Sequence, residues 1–114
     1  MPRVVIRYGT ENPIEAKVVA DARKIYGVVG IKLTPRGRRN YPDRLWFLPA
    51  GRVLLIEFKR PGDSPRKSQT NAHKNLALLG HTVYIVDDYH VAMGIVAAAV
   101  EAARRAEKGR QVPS

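Results

Sequence analysis

The segment Arg52-Val53-Leu54-Leu55-Ile56-Glu57-Phe58-Lys59 limits the possible folds of this chain more than any other. Val53, Leu54, Leu55, Ile56 and Phe58 read as a strand buried inside a sheet. Such runs seldom carry charge, because removing an ion from water is costly unless a partner compensates. Here a carboxylate and an ammonium stand two positions apart. Strand side chains alternate, so Glu57 and Lys59 project from one face.

The preceding residues supply a partner strand. Pro49-Ala50-Gly51 reads as a three-residue hairpin loop with Gly51 in the left-handed position. Leu48 then faces Arg52, and counting outward sets Asp43 opposite Glu57. Directly opposed Cβ atoms lie roughly 4.5–5.5 Å apart, and like charges so placed repel. A divalent cation between the two carboxylates removes the repulsion, and hard cations such as Mg²⁺ prefer such oxygen donors. A loop one residue longer would shift the register and break the pairing.

The rest of the chain alternates helical and extended patterns. Asn12-Pro13-Ile14-Glu15 opens a helix, with Asn12 as N-cap and Pro13 at the first position, and Gly27 ends it. Its expected apolar stripe is Ile14, Val18, Ala22 and Ile25. A strand is expected over residues 28–34, then a basic loop over 35–40, then the hairpin strands over 43–48 and 52–60. Ser64 and Pro65 open a second helix that Gly80 stops. A strand over 81–86 and a final helix over 89–107 follow, with Ala92, Ile95, Val96, Ala99 and Ala102 inward. The order predicts an α/β or α+β domain with a mixed sheet covered by helices. The whole chain, residues 1–114, is expected to form one domain.

Charge points to the partner. Twenty Lys and Arg against ten Asp and Glu give a net charge of +10 and an isoelectric point near 10.4. Such a surplus on a small domain suggests a polyanion, most simply nucleic acid, although charge alone would also suit an acidic membrane or protein surface. The absence of cysteine rules out disulfides and thiolate metal sites. No apolar run approaches the roughly 18 residues of a membrane span, and Met1-Pro2-Arg3-Val4 is no signal peptide. The expected setting is the cytoplasm, with no membrane partner.

Each candidate also has a plain structural reading. Asp43 after Pro42 could be a turn residue. Glu57 and Lys59 could be a surface ion pair. Glu15 sits at the third position of a capping box and could serve only the Asn12 amide. Gln69 shares a helix face with Ala72, His73 and Leu76, and could be solvated. Taken together, two opposed acids and a lysine favour metal-dependent hydrolysis, with Lys59 holding water or hydroxide near a phosphate. Arg36, Arg38 and Arg39 precede this site and Arg60, Arg66 and Lys67 follow it; both clusters read as phosphate cradles. His73, His81 and His90 lack zinc-ligand spacing. Trp46 reads as core.

Asp43 followed by Glu57-Phe58-Lys59 resembles the PD-(D/E)xK nuclease signature, here with a literal Pro42-Asp43. The longer pattern, Tyr41-Pro42-Asp43-Arg44-Leu45, Glu57-Phe58-Lys59-Arg60-Pro61-Gly62, then Gln69 and Leu76 to Gly80, is similar to the VRR-NUC family, the virus-type replication-repair nucleases. The resemblance spans about residues 15–92. It implies an α/β, restriction-endonuclease-like core and Mg²⁺ or Mn²⁺ as cofactor. It assigns Glu15, Asp43, Glu57 and the Phe58 carbonyl to the metal, Lys59 as catalytic lysine, and Gln69 as the site's helix glutamine. One departure is Tyr41, where the family often has a small residue; it bears on the substrate entrance. Stand-alone members resemble dimeric Holliday-junction resolvases, whereas members embedded in large repair proteins, such as the Fanconi-associated nuclease, cut flaps as monomers. The expected reading is a homodimeric resolvase of branched DNA. The alternatives are a flap or general structure-specific nuclease, or a non-catalytic DNA-binding module.

Overall fold

A computed structural model describes residues 12–33, 41–61 and 67–110. Helix α1 (Pro13–Tyr26) begins where Asn12 Oδ1 accepts hydrogen bonds from the backbone N–H of Ile14 and Glu15, at 2.9 and 3.3 Å. It ends at Gly27, whose φ of 72° only glycine adopts without strain. Strand β1 (Gly30–Lys32), strand β2 (Arg44–Phe47) and strand β3 (Val53–Phe58) follow. Helix α2 (Lys67–Leu78), strand β4 (Val83–Val86) and helix α3 (Tyr89–Arg110) complete the order.

The four strands form one mixed sheet in the order β1-β2-β3-β4, antiparallel up to β3 and parallel between β3 and β4. The architecture is α/β, as the sequence implies. Residues Leu54 to Phe58 are buried without interruption, as expected for a strand with neighbours on both sides and a covered sheet. The hairpin register is the expected one. Phe47 pairs with Val53 and Arg44 with Ile56, which extends to Asp43 opposite Glu57. In the turn, Ala50 and Gly51 both adopt positive φ, 62° and 70°.

One face of the sheet carries the core. Trp46, Leu54, Ile56, Phe58 and Val86 pack against Val18 and Ala22 of α1 and Ala92, Val96, Val100 and Ala103 of α3. By strand alternation, Leu55, Glu57, Val83 and Ile85 point to the opposite face, the side on which His73 and Ala77 of α2 share a cavity with Val83 and Ile85. Asp88 Oδ1 accepts from the Val91 N–H at 2.9 Å and caps α3. Arg104 Nη2 donates to the Tyr26 carbonyl at 3.0 Å, and the Tyr89 hydroxyl donates to Asp21, tying α3 to α1. Among the described residues, no helix is long and apolar enough to cross a membrane.

Two helix faces differ from expectation. Ile25, the next-to-last residue of α1, is 59% exposed, and the buried apolar stripe of that helix is Val18 and Ala22. In α3 the buried stripe is Ala92, Val96, Val100 and Ala103, while Ile95, Ala99 and Ala102 are only partly buried. Over 22 residues a helix accumulates rotation, so the contact line steps from i+4 to i+3 at Ala103. Val96, expected inward, and Val100 both lie in this chain's own core. The strands are also shorter than their patterns: β1 holds three residues and β4 four.

Gly30 pairs directly with Trp46, and the indole lies across it. A Cβ at Gly30 would stand 2.7 Å from Trp46 Cε2 and Cζ2. Trp46 is fully buried and has nowhere to move. Gly30→Ala is therefore expected to cost about 1–3 kcal/mol, as overpacking does, read as an earlier midpoint in urea unfolding. An unchanged midpoint would mean that the indole can tilt within the core.

Candidate metal and phosphate site

Three elements bring the acids and the lysine together. Asp43 sits immediately before β2, and its Oδ2 accepts the Phe58 N–H of β3 at 2.8 Å. Its carbonyl accepts the Leu33 N–H at 2.9 Å, so the residue is fixed between β1 and β3. Glu57, 3% exposed, lies near the end of β3. Lys59 follows, its N–H bound to the Val86 carbonyl at 2.7 Å and its Nζ 3.2 Å from Glu57 Oε2. Both acids and the lysine therefore stand at one end of the β2–β3 pair. A cavity of about 640 Å³ lies at the other end, beside Gly51 and Arg52, and no acid lines it.

Glu15 approaches from α1. The residue is buried, and its Oε2 accepts from Arg44 Nε at 2.6 Å, while Arg44 Nη1 donates to the Gly30 carbonyl at 3.1 Å. Asn12 serves the helix N-terminus, and the Glu15 carboxylate reaches across to β2. Glu15 is still close enough to Asp43 for their charges to interact. Arg44 is a member of the site that the sequence analysis does not single out. The signal is there: Arg44 follows Asp43, so alternation turns it to the opposite face, where α1 lies.

Burial raises the Asp43 carboxyl above its ordinary value. The Phe58 N–H opposes that shift, Glu15 adds to it, and Lys59 and Lys32 counter it. A carboxyl with a raised folded value binds its proton more tightly when native. Ionising Asp43 thus removes stability as pH climbs from the unfolded value toward the raised one. Asp43→Asn retains an oxygen for the Phe58 N–H and cannot ionise. Without divalent metal, this variant should melt above the parent at pH 7, and the difference should shrink at pH 3. A lower melting temperature at pH 7 would mean that the charge-assisted bond to Phe58 outweighs burial.

The donor chemistry fits a hard divalent cation. Asp43 and Glu57 offer two opposed carboxylates, and the Phe58 carbonyl lies beside them in sequence. Among the described residues, no three acids or imidazoles converge as a closed cage. Glu15 is turned toward Arg44. Gln69 lies in the first turn of α2, whose half-buried face is Ala72, His73 and Leu76. Of the expected phosphate contacts, Arg60 is exposed just beyond Lys59 and Lys67 is the first residue of α2. Arg36, Arg38, Arg39 and Arg66 lie outside the described residues, as do Ser64 and Pro65.

The fold and this hairpin define an α/β domain with an acid pair and a lysine at one end of its central strands. No family model matches the chain. It is 42% identical over 77 residues to the "Putative nuclease p44" of Acyrthosiphon pisum secondary endosymbiont phage 1, an alignment spanning 68% of this chain and 82% of that protein. A solved "VRR_NUC domain" superposes with a TM-score of 0.62 over 75% of this chain and 97% of its own length, at 24% identity, and shows the fold. The chain belongs to the VRR-NUC family.

Proposed function

We propose that this chain is a metal-dependent, structure-specific DNA endonuclease that resolves four-way junctions as a homodimer. The observation that carries the reading is the register that sets Asp43 opposite Glu57, with the Lys59 ammonium 3.2 Å from Glu57 on the same face. A net charge of +10 suits a nucleic-acid backbone, and the phage relative bears the name of a nuclease.

Asp43, Glu57 and the Phe58 carbonyl would hold the cation, and Glu15, which pairs with Arg44 and acts on the charge of Asp43, would complete the set. Mg²⁺ or Mn²⁺, when bound, stabilises negative charge on the phosphoryl group and the leaving oxygen. Lys59 orients the attacking water and offsets the charge that develops beside it. Gln69, at the start of α2, contributes to the same site. Arg36, Arg38, Arg39, Arg60, Arg66 and Lys67 take the flanking phosphates.

The dimer follows from substrate symmetry. A four-way junction is close to two-fold symmetric and needs paired cuts, and two copies about a C₂ axis supply two sites. One observation favours a second reading, a monomeric flap nuclease. Val96 and Val100 are buried in this chain's own core, and among the described residues Val91 is the one large apolar side chain of that helix that is exposed. The deciding experiment compares cleavage of labelled junction, flap and linear DNA in Mg²⁺, Mn²⁺ and EDTA, alongside sedimentation at micromolar concentration. Symmetric junction cuts by a particle of twice the chain mass support the resolvase. A monomer that cuts flaps and spares junctions supports the second reading. The absence of any metal-dependent cutting would overturn both.

A further inference from the structure

We propose that His73 is a positioning residue for Lys59: its Nε2 accepts a hydrogen bond from the Lys59 ammonium when a divalent cation engages Glu57. The inference rests on the nuclease reading above and extends it to α2. His73 lies on the helix face turned to the sheet, and it lines a cavity with Val83 and Ile85. Ile85 is the β4 partner of Glu57, so His73 stands over the β3–β4 pair at the level of the acid. Its Nε2 is buried and has no hydrogen-bond partner among the described residues. A buried polar atom left in this state costs stability unless another state of the molecule uses it.

The chemistry supplies that state. Lys59 pairs with Glu57 at 3.2 Å. A divalent cation on the same carboxylate would repel the ammonium and favour its turning to another acceptor. A neutral imidazole protonated at Nδ1 presents a lone pair at Nε2. Desolvation, reinforced by the Lys59 charge, holds the imidazole value below its ordinary range and so favours the neutral ring. With His73 as acceptor, Lys59 stays beside the site and vacates Glu57. Without it, the ammonium loses an acceptor that would draw it away from the cation.

The test is Mn²⁺ affinity, measured by calorimetry on the full chain without DNA. His73→Leu should weaken binding by about tenfold to a hundredfold, the range for partners that orient metal ligands. His73→Gln, which keeps an acceptor oxygen, should recover most of the loss. In a Lys59→Met background, His73→Leu should change nothing further. Equal weakening with and without Lys59, or no weakening, overturns the proposal. If the leucine variant does not fold, His73→Met carries the same test. A parent chain that takes up no Mn²⁺ overturns the metal reading itself, and this proposal with it.

Discussion

Glu57→Gln is expected to give a folded protein that binds branched DNA and does not cut it. Glutamine matches glutamate in shape, so a side chain with 3% exposure leaves no cavity and forces no repacking. What is lost is the anionic donor facing Asp43. Without it, a hard cation keeps one carboxylate of the opposed pair and a neutral amide, and the charge on the phosphoryl group is no longer offset. The cleavage rate should fall by at least about a hundredfold to a thousandfold, the cost of removing a preorganised electrostatic contact from a water-poor site. The Lys59 ammonium loses its counter-charge, but its 13% exposure lets it turn toward water. On the proposed reading the arginine clusters supply DNA affinity, which should persist with a steep salt dependence of about −0.9 in log–log slope per phosphate contact. Single-turnover cleavage of labelled junction in Mn²⁺, with binding measured in Ca²⁺, separates the two properties. Cleavage at the parent rate would remove Glu57 from the metal site.

Much of this site was legible because it depends on local rules. The Pro49-Ala50-Gly51 turn sets loop length, loop length sets register, and register places Asp43 opposite Glu57. The Asn12 cap, the Gly27 stop and the Gly80 stop depend on a few adjacent residues, and all three appear where the spacing puts them. What the sequence leaves open is long-range. Arg44 reaches Glu15 across 29 positions; alternation gives the face that Arg44 takes but not the residue it meets there. His73 looks like a packing residue until the fold sets it over Ile85, within the field of the Lys59 charge. The stripe of α3 is legible only in part for a similar reason: Ala92 and Val96 are buried as expected, whereas Val100 and Ala103 take the places expected of Ala99 and Ala102. An alanine-rich helix offers several nearly equivalent apolar lines, and only the sheet beneath selects Ala92, Val96, Val100 and Ala103.

Lys59→Ala should slow cleavage by about 10² to 10⁴, the range for a positioned acid–base group. The backbone of Lys59 is fixed by its bond to Val86, and its ammonium is drawn to one face by Glu57. Its position is therefore set by the sheet, which is what a water-orienting group requires. Lys59→Arg should not restore the rate. A planar guanidinium is larger than an ammonium and engages a carboxylate through a fork, which would occupy Glu57 more firmly and keep the cation out. The two substitutions should diverge in metal dependence. The alanine variant should bind Mn²⁺ at least as well as the parent, because a competitor for Glu57 is gone, and still cut slowly. The arginine variant should need more Mn²⁺ to reach its own maximum. Rates measured across a Mn²⁺ titration distinguish these cases. If both variants cut at the parent rate throughout, Lys59 is a structural ion-pair partner of Glu57 and the water must be oriented by another group.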